Sequence, residues 1–259
     1  MRLDLDRQRT LGELVGLTFE LFVRHLATFL SLTLIVVAPI VIAIDGAWGG
    51  TLADGGDAHP STAVRAVSSA LSVLVIPPLV TAVHVAAVQM LARGEEPGVG
   101  SALRVARPRL LAAVGAVALY SLVVAAGLIA LVIPGIWLAV RCYFAPQAAV
   151  VDGLGPADAL RRSAEVVQQR WWRIFGALVV FALVTGLPGA ILGAILDGIH
   201  DGVVYTSGYV LVQAVLFSLS AIFGTLLFFD SRTRAQVPWQ GPPPPIPPDP
   251  ERPIQPPRI

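Results

Sequence analysis

The sequence predicts an all-α, polytopic membrane bundle of about six spans, arranged as three hairpins that are each preceded by a cytoplasmic interfacial helix. Three observations carry that expectation. The chain is 55% hydrophobic and 14% charged, well outside the balance of a soluble domain. Uncharged runs at 26–44, 66–92, 110–140, 174–196 and 203–229 match the roughly 20 helical residues that cross a hydrocarbon core of about 30 Å. The 18 basic residues are all arginine, and all but Arg65 and Arg141 gather into four segments; short arginine-rich segments stay on the cytoplasmic side of a membrane.

The first element is an amphipathic helix. Thr10 and Glu13 have the spacing of a capping box, and Leu11, Leu14, Val15, Thr18 and Phe22 share one face, so this segment is expected to lie on the inner leaflet. The run at 26–44 follows it as a retained span rather than a secretory signal. Asp4, Asp6, Glu13 and Glu20 precede that run, and no small-x-small cleavage site follows it. The loop at 45–65 carries only Arg65, and the second run leads back to a segment with Arg93, Arg104, Arg107 and Arg109.

The run at 110–140 decides the topology. Crossed once, it would put arginine-rich segments on opposite faces of the membrane, against the positive-inside rule. A reversal at Ile133-Pro134-Gly135, with a return limb over 135–151, instead collects all four segments on one side. These hold Arg2, Arg7, Arg9 and Arg24; Arg93 to Arg109; Arg161, Arg162, Arg170 and Arg173; and Arg232, Arg234, Arg252 and Arg258. Pro134 removes a helix donor and Gly135 tolerates turn geometry, which makes them the expected structural turn. The return limb is short, rising only about 25 Å.

Arg141 lies near the middle of that limb, where a guanidinium costs roughly 3 kcal/mol. No Asp or Glu falls within the apolar runs to pair with it. Its candidate partners are carbonyls freed near Pro39, Pro77, Pro78 and Pro188, the hydroxyls of Tyr120, Tyr205 and Tyr209, Asp230, or a lipid phosphate. It is therefore either a structural arginine bonded to broken-helix carbonyls or part of an anion or lipid site.

The third unit repeats the design of the second. Gly98-Val-Gly-Ser-Ala-Leu-Arg104 and Gly155-Pro-Ala-Asp-Ala-Leu-Arg161 match at the glycine and at the closing Ala-Leu-Arg, as a structural repeat would. Over 158–169, Leu160, Ala164 and Val167 oppose Arg161, Arg162, Glu165, Gln168 and Gln169 at helical spacing. Trp171 and Trp172, flanked by Arg170 and Arg173, have the composition of a headgroup-level interface. Arg141, Arg161, Arg162 and Arg173 are the candidate lipid- or anion-binding residues. In the last two runs, Gly189-x-x-x-Gly193 suits close helix packing. Tyr205, Ser207, Tyr209, Gln213, Ser218 and Ser220 make the sixth span polar, for interhelical bonding or for a lined cavity.

Motifs for catalysis are missing. There is no phosphate-binding loop, no H-E-x-x-H and no G-x-S-x-G. His25, His59, His84 and His200 are scattered without metal-ligand spacing, His84 reading as a neutral hydrogen-bonded helix residue, and the single Cys142 excludes an intramolecular disulfide. No catalytic residue, cofactor, metal or nucleic-acid partner is expected. Two domains follow: an integral-membrane helical domain over 1–234, and a proline-rich cytoplasmic tail over 235–259, expected to be disordered and available to a protein partner's groove.

The combination Ile133-Pro134-Gly135-Ile136, Arg141, Pro146, Asp152, Ala159-Leu160-Arg161-Arg162-Ser163, Trp172-Arg173 and the closing Phe228-Phe229-Asp230-Ser231-Arg232-Thr233-Arg234 resembles the integral-membrane domain of some bacterial glycerophosphodiester phosphodiesterases and its stand-alone relatives. Asp152 stands where that family usually has glutamate, and Ser231 where it usually has leucine. The resemblance implies a multi-pass bacterial inner-membrane protein with both termini cytoplasmic. It does not extend to a catalytic barrel, so phosphodiesterase activity is not carried over. The function expected is non-enzymatic organisation of lipids or partner proteins at the cytoplasmic leaflet; the alternative is a transporter or permease component with a site near Arg141.

Overall fold

A computed structural model describes residues 3–5, 7–47, 74–196, 198 and 202–236. Every regular element among them is helical. In chain order these are α1 (Leu11–Arg24), α2 (Leu26–Ala47), α3 (Ile76–Ala92), α4 (Val99–Ala106), a 3₁₀ turn (Arg107–Arg109), α5 (Leu110–Ala130), α6 (Val132–Arg141), α7 (Ala145–Val151), α8 (Pro156–Val167), α9 (Trp171–Leu196) and α10 (Gly202–Gln236). Three helical stretches are long and apolar enough to cross a membrane: Val99–Ala130, Trp171–Leu196 and Ser207–Ala235. The bent pair formed by α1 and the first part of α2 makes up to four, and α3 is apolar but shorter. The start of the run at 66–92, most of the loop at 45–65, most of the loop at 197–202 and the proline-rich tail lie outside the described residues.

Helix α1 forms as its sequence dictates. Thr10 Oγ1 accepts from the Glu13 N–H, and the Glu13 carboxylate accepts from the Thr10 N–H at 2.7 Å. These two bonds satisfy donors that a helix start otherwise leaves open. Leu14, Thr18, Leu21 and Phe22 are buried on one face, and the chain then turns by 86° into α2. An amphipathic helix thus meets an apolar one at nearly a right angle.

The two matching glycines are both N-caps in extended conformation, Gly98 for α4 and Gly155 for α8. In α8 the inward face is turned by one residue from the expected Leu160, Ala164 and Val167. Ala159, Ser163, Val166 and Val167 are buried, while Leu160 and Ala164 are half-buried. The reason lies in the return limb, which is not one helix. It breaks over residues 142–144 into α6 and α7, and Ser163 Oγ donates to the Arg141 carbonyl at 2.9 Å and accepts from the Phe144 N–H at 3.0 Å. A buried break leaves orphan backbone groups, and the serine is drawn inward to satisfy them.

The reversal itself falls earlier than expected. Leu131 alone is extended between α5 and α6 (φ −165°, ψ 146°), and Gly127 backs onto Gly135 and Leu138 across it. Pro134 and Gly135 thus lie within the first turns of α6 rather than at the turn. Pro134 sits where a helix has no internal use for its N–H. Gly135 allows close approach to α5: a Cβ there would fall 2.8 Å from the Leu128 Cα.

Packing centres on α3 and α10. Helix α3 is buried along almost its whole length, and Phe29, Phe144, Phe223 and Phe228 are fully enclosed. Phe181 of α9 stacks on Phe223 of α10 with centroids 3.9 Å apart. Apolar surface gains little by leaving lipid, so helix association leans on close packing and internal hydrogen bonds. Gly189 packs beneath Leu216 of α10, while Gly193 faces open space; the first glycine of the G-x-x-x-G pair serves packing within the chain. Thr33, His84 and Ser218 join α2, α3 and α10, with Thr33 Oγ1 2.7 Å from Ser218 Oγ and 3.4 Å from His84 Nε2. His84 Nδ1 bonds the Val80 carbonyl at 2.8 Å.

Candidate functional site

Three contacts bring together helix ends that are distant in the chain. His25 at the foot of α2 lies 3.8 Å from Glu96, just beyond α3. Arg109 at the foot of α5 donates to the Gly153 carbonyl at 3.4 Å, just beyond α7. Arg173 at the foot of α9 meets Asp230, near the end of α10, at 2.8 Å.

Two aspartates gather arginines from separate segments. Asp230 is fully buried and accepts from the Arg9 N–H at 2.7 Å, from Arg173 at 2.8 Å and from Arg234 Nε at 3.0 Å. The Arg9 carbonyl accepts in turn from both Arg173 and Arg234, and Arg170 donates to the Arg234 carbonyl. Asp152 holds Arg232 at 2.7 Å and Arg162 at 3.5 Å. Hydrogen bonds between ionised partners of this kind are shorter and stronger than neutral ones. Gly153, next to Asp152, has φ +68°, and the Arg109 guanidinium lies 2.7 Å from where its Cβ would be. Only glycine meets both demands.

The residues proposed from sequence divide by environment. Arg173 is committed to Asp230 and to the Arg9 carbonyl. Arg162 is shared between Asp152 and Glu165. Arg161 points outward, its side chain 80% exposed, with Asp158 3.6 Å away. Arg141 stands apart from this network: its guanidinium stacks on Trp137 at 4.7 Å from the ring centroid, a contact between cation and aromatic face. Trp171 donates from its indole nitrogen to the Trp137 carbonyl and stacks on Phe175, while Trp172 is 77% exposed. Asp230 therefore serves Arg173 and Arg234, not Arg141. Arg9, Arg109, Arg170, Arg232 and Arg234 also lie here but were not among the candidate binding residues; their signals were membership in the arginine segments and, for Arg170, Arg232 and Arg234, a place beside the tryptophans or in the closing motif at 228–234. Among the described residues no three metal-ligating side chains cluster.

Fold and site together define an all-helical protein with three to four membrane-length apolar helices and an arginine-rich end built on two aspartates. The chain belongs to the family described as Domain of unknown function (DUF7847), whose model matches residues 97–231, just over half of the chain. That span holds α4 through most of α10, with Asp152 and Asp230, and leaves out Arg9. No curated protein matches the chain. No solved structure matches it.

Proposed function

We propose that this is a non-enzymatic membrane protein that holds anionic lipid headgroups at one leaflet, with its three leave-and-return units crossing as six passes and their feet on the cytoplasmic side of a bacterial inner membrane. The observation that carries the reading is the meeting of Arg162 and Arg232 on Asp152 and of Arg173 and Arg234 on Asp230, with Arg109 on the Gly153 carbonyl and Arg170 on the Arg234 carbonyl close by. Guanidinium groups outnumber carboxylates there, and exposed arginines beside them, Arg161 above all, present charge to a phosphate-bearing surface. Likeness to the phosphodiesterase-associated membrane domains enters as a relationship of architecture alone. A transport site at Arg141 draws no support from a guanidinium stacked on Trp137.

The test is lipid retention. Purified full-length protein, delipidated and exchanged into vesicles of equal phosphatidylglycerol and phosphatidylcholine, should retain phosphatidylglycerol preferentially in native mass spectra. Arg161→Gln with Arg162→Gln should cut that preference several-fold. Unchanged retention overturns the proposal. For topology, cysteines placed at Ala157 and Ala235 in a Cys142→Ser background should react from the same, cytoplasmic side; labelling from opposite sides sinks the six-pass arrangement.

A further inference from the structure

Arg141 differs from every other buried or half-buried arginine among the described residues. Each of the others donates to an acceptor within the chain: Arg9 and Arg170 to backbone carbonyls, Arg162 and Arg232 to Asp152, and Arg173 and Arg234 to Asp230. Arg141 is half-buried too. Yet its guanidinium makes no hydrogen bond and no ion pair to any described residue, and rests only on the face of Trp137. The freed carbonyls, tyrosine hydroxyls and aspartate that its sequence position offered as partners do not bond it. A lipid phosphate is the partner left.

The unused donors are accessible. Among the described residues, the buried polar side-chain atoms that lack a partner are Gln147 Oε1, Asp152 Oδ2 and Arg173 Nε, so the Arg141 nitrogens, unpartnered but not buried, open onto the surface. A half-buried guanidinium without an acceptor is costly, and its planar fork of donors matches the oxygens of a phosphate. The surroundings fit a headgroup. Trp137, 4.7 Å from the guanidinium, accepts through its carbonyl from the Trp171 indole at 3.1 Å, and Trp171 begins α9 beside the exposed Trp172. Indole rings concentrate at headgroup level, where phospholipid phosphates lie.

We infer that Arg141 binds the phosphodiester group of a phospholipid, with its guanidinium held on the face of Trp137. Anionic and zwitterionic phospholipids share that group, so this site is indifferent to headgroup charge. The inference rests on the membrane location proposed above, but it uses none of the arginines gathered on Asp152 and Asp230.

The experiment titrates dioleoyl phosphatidylcholine into delipidated full-length protein in detergent, read by native mass spectrometry, with dioleoylglycerol in a parallel arm. The second lipid has the same chains and no phosphate. Wild-type protein should hold phosphatidylcholine saturably and dioleoylglycerol about ten-fold more weakly. Arg141→Gln should weaken the hold on phosphatidylcholine about ten-fold, the loss of charge-assisted hydrogen bonds, at an unchanged unfolding temperature. It should leave the preference for phosphatidylglycerol over phosphatidylcholine as in wild type, whereas Arg161→Gln with Arg162→Gln should do the reverse, so the two readings fail separately. Arg141→Met, which keeps the apolar stem, decides the matter if Arg141→Gln fails to fold. Dioleoylglycerol held as tightly as phosphatidylcholine, either Arg141 variant folded and binding at the wild-type level, no saturable binding, or displacement of the lipid by an equal concentration of inorganic phosphate, which assigns the site to a soluble anion, would overturn the inference.

Discussion

Arg173 and Asp230, 57 positions apart, meet at 2.8 Å with the carboxylate fully buried and the arginine side chain one-third exposed. The contact joins the start of α9 to the last turns of α10. Through the Arg9 N–H on the same carboxylate, it also fixes the N-terminal segment there.

Asp230→Ala should therefore be among the most damaging substitutions in the protein. It leaves Arg173 and Arg234 adjacent and uncompensated, at a cost of about 3 kcal/mol or more. The measurement is reversible unfolding in detergent micelles. A change below about 0.5 kcal/mol would show that the pair carries no weight.

Gly153→Ala should cost about 1–2 kcal/mol from its left-handed conformation alone, and more because Arg109 occupies the space of the new methyl. Adding Arg109→Ala should restore only the second part. Complete recovery in the double variant would place the whole effect in the contact and none in the backbone.

Ser163→Ala strands the Phe144 N–H and one bond of the Arg141 carbonyl at the α6–α7 break. About 1–3 kcal/mol is expected, together with faster hydrogen exchange at the Phe144 amide. Ala157→Ser, on the exposed side of the same helix, is the control and should be neutral.

The Thr10 N–H and hydroxyl hold the Glu13 carboxyl below its ordinary value of 4.5. A carboxylate with a depressed folded value contributes stability above its unfolded value and loses that contribution as pH falls through the folded one. Protection of the first-turn amides of α1 should thus be constant above about pH 5 and decline below the ordinary carboxylate range. Glu13→Gln, which keeps the capping geometry, should flatten that decline. A pH profile identical to wild type would remove Glu13 as its origin.

Much of this architecture is legible in the residues because it rests on local rules. The capping box at Thr10, the paired N-cap glycines and the apolar periodicity all act over a few positions. The reversal near Pro134 was legible in kind but not in place, since any residue can adopt the extended conformation that Leu131 takes, whereas Pro134 and Gly135 serve entry into α6 and close packing on α5. The inward face of α8 depends on the needs of a break some twenty residues away, which no periodicity encodes. Pairings such as Arg173 with Asp230 are set by the assembled fold. Ser218 and Ser220, adjacent in any reading of polarity, part ways once α10 is placed: the first is buried and bonds Thr33, and the second is exposed.

Among the described residues, segments as far apart in the chain as Arg9, Arg162, Arg173 and Arg232 meet on two carboxylates, Asp152 and Asp230. Because Asp230 is enclosed, salt should screen its pairs only weakly, whereas loss of that one carboxylate should release the contacts of Arg9, Arg173 and Arg234 together.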